Sequence, residues 1–124
     1  MTGKVLVVED TEDNRQIVRD LLTAAGYLLI EAVDGEAGVA AAARERPDLI
    51  LMDIQLPVLD GYEATRQIKA NPDTSAIPVI AVTSYALSGD EEKARLAGCD
   101  GYIAKPFSPR ELLAMVRRFL PPQG

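Results

Sequence analysis

Histidine and tryptophan are absent from this 124-residue chain, and cysteine occurs once, at Cys99. Without histidine, no Ser-His-Asp triad, Cys-His pair or histidine phosphocarrier can be built. Zinc is disfavoured too, because its usual sites draw on histidine or several thiolates. A single thiol closes no disulfide within the chain, which fits a reducing compartment. No apolar run approaches the roughly 18 residues of a membrane span, and residues 1–9 lack a signal-peptide core. A cytoplasmic location is expected. Positive charge is also short: 13 basic residues stand against 19 acidic ones, for a net charge of −6. An acidic surface repels phosphate backbones, so direct nucleic-acid binding is disfavoured, whereas a protein partner with a local basic patch is compatible.

The chain does have an ordinary globular composition, with 48% hydrophobic and 26% charged residues. Its length points to one domain, residues 1–124 with a core from about 4 to 120 and no output domain. Short apolar runs alternate with helix-like stretches. Residues 4–8, 27–31, 49–53, 79–83 and 102–104 read as strands. Between them, Thr11 and Asp13 offer helix-start chemistry, with Ile17, Leu21, Leu22 and Ala25 recurring at helical spacing up to a Gly26 stop. Asp34-Gly35 reads as a turn before an alanine-rich helix over 36–46 that Pro47 ends. Helices follow over 62–70 and 90–97, the second closed by Gly98. Ser108-Pro109-Arg110-Glu111 carries the strongest local signal, with Ser at the N-cap, Pro at N1 and Glu at N3 of a last helix reaching about Leu120, where Pro121-Pro122 stops it.

Five strand–helix units with near-continuous apolar strands predict an α/β fold: a doubly wound, five-stranded parallel sheet covered by helices on both faces. Ligands in such sheets bind beyond the carboxyl ends of the strands. Those ends carry Glu9 and Asp10 after the first strand, Asp53 on the third, Thr83 on the fourth and Lys105 after the fifth. The end of the second, Glu31-Ala32-Val33, is less well equipped. Taken singly, each residue has a plainer role. Asp10 can cap a helix, Asp53 can turn a chain, Lys105 can be a solvated loop lysine, and Tyr62, Tyr85 and Tyr102 can simply pack. Their convergence on one sheet edge is what points to chemistry. Three crowded carboxylates repel and should each be raised in pKa unless compensated. A hard divalent cation compensates best, Mg²⁺ or alternatively Mn²⁺. With a hydroxyl and a lysine to hold phosphoryl oxygens, the set describes phosphoryl transfer onto an aspartate.

Val7-Val8-Glu9-Asp10, Met52-Asp53-Ile54-Gln55-Leu56-Pro57 with Asp60-Gly61, Val82-Thr83-Ser84 and Tyr102-Ile103-Ala104-Lys105-Pro106-Phe107 together resemble the receiver domains of two-component response regulators, across essentially the whole chain. The resemblance is finest to receiver-only members. It implies the flavodoxin-like strand order 2-1-3-4-5 and a phosphorelay function. Asp53 would be the phosphoacceptor, with Asp10, Asp53 and the Gln55 backbone carbonyl on Mg²⁺ and Glu9 reaching the metal through a water. Thr83 and Tyr102 would be the switch pair. Lys105 would pair with the acceptor ahead of a cis bond to Pro106. The chain would then be not an enzyme but a phosphoacceptor that assists its own phosphorylation and dephosphorylation. The implied partners are a sensor histidine kinase or histidine phosphotransfer protein upstream and a protein bound through the α4-β5-α5 surface downstream, with a homodimer allowed.

Alternatives differ at single features. A magnesium-dependent aspartyl-phosphate phosphohydrolase needs an acid two residues after its nucleophile, where Gln55 stands. A flavin carrier needs a first loop that welcomes phosphate, and Glu9 to Asp13 is anionic. A pseudo-receiver binding module would not need the complete residue set.

Overall fold

Strand and helix alternate without exception in the computed structural model, which describes residues 3–84 and 90–120. In chain order the elements are β1 (Lys4–Val8), α1 (Glu12–Ala24), β2 (Leu28–Ala32), α2 (Gly35–Glu45), β3 (Leu49–Asp53), α3 (Gly61–Ala70), β4 (Val79–Thr83), α4 (Asp90–Ala97), β5 (Gly101–Ala104) and α5 (Pro109–Phe119). The strands form one sheet, all parallel, in the expected order β2-β1-β3-β4-β5. Tyr85, Pro121 and Pro122 lie outside the described residues.

Successive strand side chains point to opposite faces, and both faces are apolar here. On one, Val5, Val7, Leu49, Leu51, Ile80 and Val82 pack with Val18 and Leu22 of α1 and Leu112 and Val116 of α5. On the other, Leu6, Val8, Ile50, Met52 and Val79 meet Ala41 and Ala42 of α2 and Ala64 and Ile68 of α3. α4 adds a smaller cluster, in which Ala94 packs with Ile54 and Ala81. The central strands β3 and β4 are buried at every residue, whereas β2 shows an exposed or half-exposed side chain at four of its five positions because it is the edge. Burying one Leu or Ile in this way stabilises by about 1.5–3 kcal/mol.

Most boundaries fall within a residue of expectation, and the departures have physical reasons. Ile17 belongs to the expected core stripe of α1 yet is 55% exposed. The buried stripe is set one residue later, on Val18 and Leu22, so Ile17 falls at the margin of that face. Asp34-Gly35 is not a free-standing turn: Asp34 is the N-cap of α2 and its carboxylate accepts from the Ala37 N–H at 2.7 Å. Tyr27 precedes β2 rather than starting it, buried with its hydroxyl donating to the Leu120 carbonyl at 2.8 Å. The Ser108 capping box forms as expected, Ser108 accepting from the Glu111 N–H and Glu111 from the Ser108 N–H, both at 3.1 Å. Gly26 leaves α1 at φ +95°, a conformation that suits glycine.

Candidate phosphoryl-acceptor site

Parallel register carries β1 and β3 to the same sheet edge, with Val8 beside Met52, so Glu9, Asp10 and Asp53 emerge together. One carboxylate oxygen from each of the three lies within 4.8 Å of the others. Asp53 is paired in register with Val82, and Thr83, at the end of β4, with Ala104, so Lys105 follows directly beside them. The Lys105 N–H donates to the Thr83 carbonyl at 2.7 Å, and the Lys105-Pro106 peptide is cis, as the resemblance implied.

The Lys105 ammonium spans two of the three carboxylates, 2.7 Å from Glu9 Oε1 and 3.1 Å from Asp53 Oδ2. Both acids are buried, at 5% exposure each. Burial pushes the Lys105 ammonium down, but the Glu9 hydrogen bond and the Asp53 and Glu9 charges outweigh it and hold its pKa above the usual lysine value. Glu9 Oε2 accepts from the Thr11 N–H at 3.2 Å, so both its oxygens are engaged within the protein. The three acids are crowded as expected, and one ammonium compensates two of them, which leaves the repulsion chiefly on Asp10. Asp10 alone stays exposed. Its carboxyl is raised above the ordinary aspartate value, first by partial desolvation and then by Glu9 as hydrogen-bond neighbour and as like charge.

The plainer readings fare differently. Asp10 does not cap α1, because the N-cap is Thr11, which makes no side-chain capping bond. Asp53 does make a local turn bond, its Oδ1 accepting from the Gln55 N–H at 2.9 Å, yet its other oxygen faces Lys105. Thr83 is buried, at 1% exposure. Tyr62 and Tyr102 are half-buried and pack against the small cluster under α4. Gly61 proves more than a turn residue. A Cβ there would stand 2.3 Å from the Asp53 carbonyl oxygen, so α3 can start against β3 only without a side chain.

Above Lys105 opens a cleft of about 450 Å³ whose walls include Asn14, Ile17, Val18, Ser84 and Phe107. The sequence offered no sign of this apolar wall, because Ile17 read as part of the core stripe of α1. Arg15 was also missed, although its spacing of three from Glu12 and four from Arg19 marks a helix face able to pair charges. The donor set fits a hard cation: carboxylate oxygens only, clustered at one edge, with Lys105 paired to Glu9 and Asp53 and Asp10 exposed beside them.

Known proteins resemble this chain in sequence and fold. Residues 5–117 match the response regulator receiver domain. The chain is 44% identical over 120 residues to the polar-differentiation response regulator DivK of Brucella ovis, covering 97% of this chain and 98% of that one; DivK of Brucella suis matches to the same extent. Among solved structures, the receiver domain of a sensor histidine kinase from Pseudomonas aeruginosa PAO1 superposes with a TM-score of 0.89 at 42% identity, over 96% of this chain and 98% of that one. That receiver holds a magnesium ion coordinated in its active-site cleft. The chemotaxis response regulator CheY4 of Vibrio cholerae superposes at 0.91 with 31% identity, over 97% of this chain and the whole of the other. Sheet order, the acidic edge and a match across 5–117 converge on one assignment: the chain belongs to the response regulator receiver domain family.

Proposed function

We propose that this receiver accepts a phosphoryl group on Asp53 from a phosphohistidine donor, carried by a sensor histidine kinase or a histidine phosphotransfer protein. An Asp53 carboxylate oxygen bonds to phosphorus as the phosphorus–nitrogen bond of the donor breaks, and the released imidazole takes up a proton. The observation that carries this reading is the Lys105 ammonium bridging buried Glu9 and Asp53 beside exposed Asp10. It sets positive charge against a buried acceptor carboxylate, offsetting the cost of burying that negative charge alone. Asp10 and Asp53 would hold Mg²⁺ with the Gln55 carbonyl, and Glu9 would act through a bound water. The metal would supply positive charge toward which phosphoryl oxygens are drawn.

As charge moves onto the phosphoryl oxygens, Lys105 can turn from the carboxylate to them, and the Thr83 hydroxyl can donate to one of them. Thr83 lies in register with Ala104, two residues from Tyr102 on the adjoining strand. A shift at Thr83 thus reaches Tyr102 and the surface of α4, β5 and α5, where a downstream protein would bind. The same groups would assist hydrolysis of the acyl phosphate, so the chain tunes its own lifetime in the phosphorylated state.

Incubation with a small phosphodonor and Mg²⁺ should add one phosphoryl mass that hydroxylamine removes, and Asp53→Asn should gain none. A variant that is still modified removes Asp53 from the role.

A further inference from the structure

Arg15 lies on the first full turn of α1, and its side chain is only 11% exposed. Nη1 donates to the Glu9 carbonyl at 2.8 Å. Nε pairs with Glu31 Oε1 on β2 at 3.3 Å, and Nη2 pairs with Glu12. Arg19 holds both oxygens of Glu31, Oε2 at 2.9 Å and Oε1 at 2.8 Å. Those bonds hold the Glu31 carboxyl below the usual glutamate range, the Arg19 hydrogen bond first. The Glu9 carbonyl shares its peptide plane with the Asp10 N–H, so its direction governs where the Asp10 side chain leaves the backbone. One residue earlier, the Glu9 N–H donates to the Ala32 carbonyl at 3.0 Å. The short segment carrying Glu9 and Asp10 is thus pinned to β2 twice, once through the backbone and once through Arg15.

We infer that Arg15 is a positioning residue for the cation site: its guanidinium, braced on Glu31, fixes the Glu9–Asp10 peptide so that Asp10 meets Asp53. The inference rests on the proposed metal-dependent acceptor site and deepens it. Charge alone predicts the opposite outcome. A guanidinium near an acidic cluster weakens its pull on a dication, so deleting it should tighten binding if only charge mattered. Positioning requires that deletion loosen binding. Arg15→Lys separates the two, because it keeps the charge but loses the planar fork that meets Glu9, Glu31 and Glu12 together.

The test is calorimetric titration with MgCl₂ of wild type, Arg15→Lys and Arg15→Met, alongside thermal melts in chelator. The Mg²⁺ dissociation constant should rise about tenfold in Arg15→Met, as when an outer partner of a metal ligand is lost, with Arg15→Lys in between. An unchanged or tighter constant in Arg15→Met overturns the inference, as does a lower melting temperature with no change in Mg²⁺ affinity. If Arg15→Met does not fold, Arg15→Lys decides alone, and a constant equal to wild type overturns it. A wild type that binds Mg²⁺ but takes no phosphoryl group refutes the proposed function while the Mg²⁺ constants still decide the role of Arg15. A wild type that binds no Mg²⁺ refutes both.

Discussion

Replacing Asp10 with asparagine should stabilise the protein in chelator and blunt its response to Mg²⁺. Asp10 faces two carboxylates, with oxygens of all three within 4.8 Å, and one ammonium committed to the other two. One carboxylate pair at that separation repels by about 1 kcal/mol at the dielectric of water. Lys105 offsets one of the two repulsions on Asp10, and screening at an exposed side chain trims the remainder to about 0.5 kcal/mol. For a domain of this size that is about 2 °C in melting temperature. The sign also appears in the pH profile. A folded-state carboxyl raised above its ordinary value of 3.8 takes up protons more readily folded than unfolded, so its contribution falls as pH rises through that interval. The gap between Asp10→Asn and wild type should therefore be full at neutral pH, shrink as pH falls through the raised folded value, and be closed below about 3.8. Mg²⁺ at ~100-fold over its Kd should add about 2.7 kcal/mol to wild type, and under half of that to a variant missing one ligand. The assay is thermal melting at low and high salt, with chelator and with Mg²⁺, at neutral and acid pH. A variant that melts below wild type in chelator, or gains as much from the metal, refutes the reasoning.

Three further outcomes follow from other parts of the molecule. Thr83→Ala should still take up phosphoryl but transmit little, so phosphorylation should change amide exchange across residues 90–107 in wild type and hardly at all in the variant; equal changes in both would dismiss the proposed relay. Gly61→Ala puts a methyl 2.3 Å from the Asp53 carbonyl, so it should destabilise by about 1–3 kcal/mol despite the better helix propensity of alanine; denaturant unfolding at or above wild-type stability would contradict the packing described. Val58 is 75% exposed and held at φ +68°, where a β-branched residue is strained, so Val58→Asn should stabilise by about 0.5–1 kcal/mol. An unchanged or lower unfolding midpoint would show the strain to be absent.

Periodicity and turn chemistry carried the architecture, because each β–α unit declares itself locally. The five apolar runs are too short for helices, and Gly26, Gly98 and the Ser108 capping box end or start elements through backbone preferences that need no distant partner. The same local logic placed Glu9, Asp10, Asp53, Thr83 and Lys105 at strand ends, and a parallel sheet puts all such ends on one edge. Other features depended on residues far apart in sequence. The rotation of α1 that exposes Ile17 and buries Val18 is set by packing against the sheet and α5, which helical spacing alone cannot fix to within one residue. The steric need for Gly61 comes from the approach of α3 to the backbone of Asp53. Charge distribution in the site was likewise a tertiary decision. The Lys105 ammonium contacts Glu9 across 96 residues of chain and Asp53 across 52, and Arg15 meets Glu31 only because β2 lies beside β1. Sequence names which charges exist, but repulsion and compensation fall off with distance through space, and that distance is set only when the sheet is assembled.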